Sequence, residues 1–152
     1  MVVWGRLFGI GAVSRREASA KRLDTFLQAV REGFQCHPHG LKLLLGLGML
    51  QQNASTAAVA ELHHYRDALM AWTQKSLSVV FELSDRPEVR EELARFTLRT
   101  ASGTAIARWF DPTAALETEP LRVALLALAA HHGVPLGTAS AAHPRPGRIA
   151  NQ

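Results

Sequence analysis

The sequence has a single cysteine, Cys36, which excludes an internal disulfide framework and every zinc site built on several cysteines. A reducing, cytoplasmic compartment suits this cysteine content best. The sequence contains no run of about 18 or more uncharged apolar residues, so it predicts no transmembrane helix. Segments with the two-residue period of β-strands and hairpin dipeptides are also missing, which leaves an all-α fold as the expectation.

The sequence also lacks the short motifs of common catalytic sites. It has no Gly-rich phosphate loop, no G-x-S-x-G and no H-E-x-x-H. Its carboxylate pairs, Glu91 with Glu92 and Glu117 with Glu119, fall on or beside helix surfaces that we expect to be exposed. Cys36 has a neighbouring histidine but no identifiable third group to orient it. We therefore expect no enzymatic activity and no cofactor.

Seven histidines raise the question of a metal site. A zinc site needs three or four converging ligands. His63 and His64 are adjacent on one predicted helix, and adjacent helical side chains point about 100° apart. His131 and His132 end another helix, where positive charge is favourable. The sequence therefore predicts solvated histidines and no metal site.

The chain of 152 residues and 16.6 kDa is long enough for one domain with a substantial core. Its net charge of +4 is unevenly spread, because both ends are basic and residues 51–120 are acidic. Residues 1–13 are apolar and Gly-rich and predict a poorly specified leader. Residues 134–152 are rich in Pro, Gly and Ala and predict a flexible tail. The helical domain is expected between them, at 14–133.

Apolar residues at helical spacing predict an antiparallel bundle of about five helices. The first follows the capping box Ser14–Glu17 and ends near Gly33–Cys36. Asp85 and Pro87 are expected to begin the fourth, and Asp111–Pro112 to stop it. The predicted ranges of the last four helices are 41–51, 56–83, 85–110 and 118–133.

The third and fifth predicted helices carry the clearest patterns. A seam of alternating four- and three-residue steps runs along the third helix, as in an antiparallel bundle. It comprises Ala58, Leu62, Tyr65, Leu69, Trp72, Ser76, Val79 and Leu83. The fifth helix has almost no polar face, which is unusual for the last helix of a small domain. We therefore expect a second subunit to cover it.

From about Arg22 to Gly133, the chain resembles the C-terminal domain of TetR-type transcriptional repressors. The stretches that carry the resemblance are R-L-D-T-F-L-Q-A-V-R-E-G, H-P-H-G-L-K-L-L-L-G-L, A-E-L-H-H-Y-R-D-A-L and S-G-T-A-I-A-R-W-F-D-P, which an acidic, Pro-started apolar helix follows. The resemblance implies ligand binding and a homodimer in which the last two helices of each subunit form a four-helix interface.

The first residues depart from that family, whose members carry an N-terminal helix-turn-helix domain. Only about 20 residues precede the first resembling helix, and three helices need more chain than this. Gly11–Arg16 only faintly echoes the family's turn, with no recognition helix behind it. We therefore expect no direct sequence-specific DNA binding from this chain, and a misplaced start and a true loss of the domain both remain open.

Two sets of residues follow from these patterns. Helical bundles bind small molecules between helices, and the resemblance favours an apolar or aromatic effector. The predicted pocket residues are Phe26, Leu44, Leu47, Tyr65, Leu69, Trp72, Phe96 and Thr100. The predicted dimer interface comprises Leu98, Ala101, Ala105, Trp109, Leu121, Leu125 and Leu128.

Two functions are compatible with these predictions. The first is the effector-binding and dimerisation domain of a TetR-like regulator. The alternative is a stand-alone helical protein that binds a small molecule or forms mixed dimers with a full-length regulator. Such mixed dimers would act negatively, because dimeric DNA readers need two half-site modules.

Overall fold

The computed structural model describes residue 13 and residues 18–36, 56–134 and 136. These residues form four α-helices and no strand, which confirms the all-α class. The predicted helix at 41–51 lies outside the described residues, so this part of the bundle has four helices rather than five. The helices are α1 (Ser19–Cys36), α2 (Thr56–Val80), α3 (Pro87–Phe110) and α4 (Thr118–His131). None of these four is long and apolar enough to cross a membrane.

The α1 helix packs against each of the other three helices, and α3 also packs against α2 and α4. The short turn between α2 and α3 makes these two helices antiparallel neighbours. Each helix contributes a leucine with at most 1% exposure to the common core, namely Leu27, Leu77, Leu93 and Leu125. On the surface, Arg122 of α4 donates hydrogen bonds to Asp24 of α1 and to Glu119.

The α1 helix has the apolar face that its spacing predicts. Leu23, Phe26 and Val30 are at most 2% exposed. Ala18 lies outside the helix, and its carbonyl accepts a hydrogen bond from the backbone N–H of Arg22. The helix therefore begins at Ser19 rather than directly after the predicted capping box, which lies outside the described residues.

The buried face of α2 differs from the predicted seam. Thr73, Leu77 and Val80 are at most 1% exposed, whereas the seam residues Trp72 and Val79 are only half-buried. Because α2 packs against both α1 and α3, its buried face is broader than a single seam and is centred one residue further on. The hydroxyl of Thr73 donates to the Leu69 carbonyl at 2.8 Å, which satisfies this polar group inside the core.

The C-terminus of α2 lies at Val80, three residues before the predicted end. The backbone N–H of Leu83 donates a hydrogen bond of 3.1 Å to the Ser78 carbonyl, the i→i−5 bond of a Schellman motif. This motif places Glu82 in the left-handed region, at φ +57°. Glycine usually occupies that position, because a side chain there costs about 1–2 kcal/mol.

A buried arginine stabilises this strained helix end. Arg22 of α1 is only 6% exposed. Its Nη1 donates to the Val79 carbonyl at 2.7 Å, and its Nη2 donates to Ser19 Oγ at 2.8 Å and to Glu82 Oε1 at 2.9 Å. Arg22 therefore caps one of the last carbonyls of α2 and pairs with the side chain in the strained position. Its Nε has no hydrogen-bond partner among the described residues.

The α3 helix begins and ends close to the predicted residues. Its N-cap is Arg86, one residue after the predicted start at Asp85, and makes no side-chain capping bond. Pro87 occupies the first turn, where its missing N–H leaves no hydrogen bond unmade. At the other end, Asp111 Oδ1 accepts hydrogen bonds from the backbone N–H and the hydroxyl of Thr113. These bonds lower the pKa of Asp111 and turn the chain away from the helix.

The α4 helix ends in a complete Schellman motif. Gly133 is left-handed at φ +67°, and its N–H donates to the Ala130 carbonyl at 2.9 Å. The N–H of Val134 donates to the Ala129 carbonyl at 2.9 Å. Val134 is 9% exposed and joins the core, and Leu136 packs against it. Two residues that the sequence assigns to the tail, Val134 and Leu136, therefore pack against the core.

One residue before the predicted start of the domain also contacts the core. Val13, which the sequence places last in the leader, is 8% exposed and belongs to the core cluster. The remaining leader residues lie outside the described part of the chain. Val13 and Val134 thus add core contacts from beyond both ends of the predicted 14–133 domain.

Candidate functional site

The α4 helix presents two apolar sides. Leu121, Leu125 and Ala129 face the core and are at most 2% exposed. On the opposite side, Val123 is 58% exposed, and Ala127 and Ala130 are also exposed. Polar side chains normally occupy the solvent side of a surface helix, so this side has the composition of a contact surface.

The C-terminal part of α3 has the same character. Phe110 is 85% exposed and Ile106 is 37% exposed. A Cβ built on Gly103 would meet no atom within 4 Å, so the surface beside this glycine is open. We call the exposed apolar residues of the two helices the outer face. The outer face comprises Ile106, Phe110, Val123, Ala127 and Ala130.

An open groove of about 620 Å³ lies at the other end of the same two helices. Phe96 and Leu128 supply its apolar surface, and charged side chains of α3 surround them. One of these, Arg95, pairs with Glu91. Another, Glu92, places Oε2 at 2.9 Å from Nε2 of His132, at the end of α4. The lining residues are Glu88, Glu91, Glu92, Arg95, Phe96, Arg99 and Leu128.

The structure divides the predicted dimer residues into two groups. Ala101, Leu121 and Leu125 are at most 2% exposed within a single chain, so they leave no surface for a second subunit. Their side chains instead hold α3 and α4 in the core. Half-buried Leu98, Ala105 and Leu128 remain accessible. Trp109 lies in α3 directly before Phe110, and its side chain is outside the described part of the chain.

Two of the predicted pocket residues, Phe26 of α1 and Trp72 of α2, are in contact. Phe26 is fully buried and stacks on Trp72, with ring centroids 5.8 Å apart and an interplanar angle of 23°. Leu69 is 9% exposed, one turn before Trp72 on α2. Tyr65 lies a further turn back and is half-buried, and burial raises the pKa of its phenol. We call this stacked pair, together with Leu69 and Tyr65, which precede Trp72 on α2, the aromatic cluster.

The remaining pocket predictions have different outcomes. Phe96 lines the groove on α3, and none of the other five predicted pocket residues that the structure describes lines that groove. Thr100 is half-buried, and its backbone carbonyl accepts a hydrogen bond from the Thr104 hydroxyl. Leu44 and Leu47 lie outside the described residues. The structure thus stacks Phe26 on Trp72, whereas Phe96 lines a groove that these two residues do not line.

Groups suited to metal binding are scattered over the described part of the chain. Within it, no three His, Cys, Asp or Glu side chains converge as a metal site requires. His63 and His64 are exposed on α2. His131 and His132 contact one another edge to face, with ring centroids 5.2 Å apart, at the end of α4.

Sequence reasoning missed the exposure of Ile106, Phe110 and Val123. All three occupy apolar positions of helices that the sequence predicted correctly, and Phe110 directly precedes the helix stop Asp111–Pro112. That position is a sequence signal for exposure, because no further turn of the same helix follows a large aromatic residue at the helix end. Comparison with protein-family models, curated proteins and solved structures finds no match to this chain.

Proposed function

We propose that this chain is an effector-binding and dimerisation domain of a TetR-like regulator, in which α3 and α4 pair with their copies from a second subunit. The observation that carries the proposal is the apolar outer face of α4. Val123, Ala127 and Ala130 stand exposed on it, although such residues lower the free energy when they leave water. A second copy of the same face would cover them in both subunits at once.

The neighbouring end of α3 extends this surface. Phe110 and Ile106 add a large aromatic and a branched side chain to the small residues of α4. Aromatic residues are enriched at the centres of protein interfaces, whereas charged ones are depleted there. The outer face therefore has the composition of an interface core, and the charged residues of the groove border it.

The test is the oligomeric state of the Val123→Asp variant. We expect the wild-type chain to sediment at twice its mass of 16.6 kDa and the variant to sediment at the single mass. The side chain of Val123 lies 58% exposed in one chain, so the substitution should leave the helical circular dichroism unchanged. The new carboxylate then opposes only the burial of residue 123 between two subunits, because burying an unpaired charge is costly.

Ala71→Asp is the matched control, because Ala71 is an exposed apolar residue of α2 outside the outer face. This variant should stay dimeric. A wild-type chain that remains monomeric at high concentration, or a Val123→Asp variant that still dimerises, would contradict the proposed dimer.

The effector part of the proposal rests on the aromatic cluster of α1 and α2. Trp72 and Tyr65 are half-buried side chains with a polar N–H and O–H, and Trp72 stacks on the fully buried Phe26. Such groups orient apolar and aromatic ligands. With Trp4 and Trp109 replaced by Phe, the emission of Trp72 alone should change when the aromatic probe anilinonaphthalene sulfonate is added. Unchanged Trp72 emission at saturating probe would separate the cluster from any ligand site.

A further inference from the structure

Phe110 and the groove on α3 both expose apolar side-chain surface. The Phe110 ring is 85% exposed at the end of α3, and the groove offers the apolar side chains Phe96 and Leu128. The same groove is lined by Arg95 and Arg99 and by three glutamates, Glu88, Glu91 and Glu92. Aromatic rings bind favourably to other rings and to guanidinium groups. The Phe96 ring, Leu128 and the two guanidinium groups therefore suit an aromatic side chain.

Gly103 lies midway along α3 between Phe110 and the groove residue Phe96. Phe96 and Phe110 lie seven residues before and seven residues after Gly103. Seven residues are about two helical turns, so all three residues lie on one stripe of α3, about 10 Å apart. Gly103 lies exposed at the centre of this stripe with open space beside it. Two helices can approach closely where a glycine occupies the crossing point.

We infer that two copies of α3 pack antiparallel about a twofold axis at Gly103, so that Phe110 of each subunit enters the Phe96–Leu128 groove of the other. The inference rests on the proposed dimerisation and specifies its register. An antiparallel pair centred on Gly103 places residue 110 of one helix opposite residue 96 of its copy. The contact is isologous, so both exposed rings and both grooves are filled by the same operation.

The first test places a cysteine on the inferred axis. In a Cys36→Ser background, Gly103→Cys puts the same residue of both subunits face to face, within the short Cα distance that a disulfide requires. The built Cβ meets nothing within 4 Å, so the chain tolerates the substitution. Mild oxidation should give a covalent dimer in high yield. Ser102→Cys in the same background is the control, because its side chain points about 100° away and should cross-link poorly.

The second test removes the ring that fills the groove. Phe110→Ala should raise the dimer dissociation constant about tenfold or more, as expected for a buried aromatic anchor. Phe110→Trp should keep the constant close to that of the wild type. Both substitutions leave the monomer intact because the ring is 85% exposed there.

The outcomes separate the register from the dimer itself. A wild-type dimer in which Gly103→Cys fails to cross-link, or Phe110→Ala dissociates no more readily, overturns the inferred register and leaves the proposed dimerisation standing. A chain that is monomeric at every concentration overturns both. Efficient cross-linking at residue 103 together with a weakened Phe110→Ala dimer supports the register.

Discussion

Arg22 on the first turn of α1 donates a hydrogen bond of 2.7 Å to the carbonyl of Val79, in the last turn of α2. The last four carbonyls of a helix have no partner within the helix, and Val79 supplies one of them. A side chain from 57 residues away thus completes the end of α2. The same guanidinium binds Glu82, the residue that adopts the left-handed conformation after the helix.

Replacing Arg22 should therefore destabilise the fold substantially. Arg22→Leu keeps the apolar stem but leaves the Val79 carbonyl and the Ser19 hydroxyl without their donor. We expect a loss of about 2–3 kcal/mol in the free energy of unfolding, the usual cost of removing a charged hydrogen-bond partner from a buried site. Urea denaturation monitored by circular dichroism measures this loss.

Two further variants serve as controls for Arg22→Leu. Lys75→Leu removes an exposed cation of α2 and should change stability by less than about 0.5 kcal/mol. Glu82→Gln removes only the ion pair, whose glutamate side chain is 72% exposed, and should cost at most about 1 kcal/mol. If Glu82→Gln costs as much as Arg22→Leu, the ion pair and not the carbonyl bond holds this helix end.

Gly133 ends α4 through its backbone conformation. At φ +67° a side chain is strained, although a Cβ there meets nothing within 4 Å. Gly133→Ala should therefore cost about 1 kcal/mol from backbone strain alone. Gly133→Asn should cost less, since asparagine tolerates the left-handed region. Thermal unfolding of the three chains ranks them, and equal stability of the Ala and Gly chains would refute the strain.

Tyr65 makes the fold sensitive to alkaline pH. Burial raises the pKa of its phenol, so the folded chain holds this proton at pH values where the unfolded chain has lost it. The stabilisation is complete below about pH 10, the ordinary value. It falls as the pH rises from there through the folded-state pKa.

Tyrosinate absorbance reports this titration directly, because Tyr65 is the one tyrosine of the sequence. We expect the midpoint of the folded chain to lie above that of the urea-unfolded chain. Tyr65→Phe should abolish the absorbance change and remove this part of the alkaline loss of stability. Coinciding midpoints for the folded and unfolded chains would show that the phenol is solvated.

The sequence predicts the ends of α3 and α4, which local residues determine. It misses the end of α2, which a residue of another helix completes. Gly133 and Asp111–Pro112 end α4 and α3 where the sequence indicates. Nothing comparable follows Val80, where the left-handed position holds Glu82 instead of glycine. The donor that completes that end comes from Arg22 on another helix, and no local pattern reveals such a partner.

The sequence also does not tell which residues of α4 form the candidate contact surface. The α4 helix is apolar on nearly every side, so composition does not distinguish Leu125 in the core from Val123 on the surface. The prediction of an apolar contact surface on this helix stays open to test, but the residues assigned to it had to change. Leu125→Asp would place a carboxylate at a fully buried position and unfold the chain, whereas Val123→Asp probes the surface.

Two ion pairs between α1 and later parts of the chain bear on the order of folding. Arg22 and Glu82 are 60 residues apart in sequence, and Asp24 and Arg122 are 98 apart. The α2–α3 hairpin closes over a turn of a few residues and loses much less chain entropy. We therefore expect a folding nucleus in this hairpin, with α1 docking afterwards. Mutations of Leu77 and Leu93 should slow folding, whereas Arg22→Leu should mainly speed unfolding.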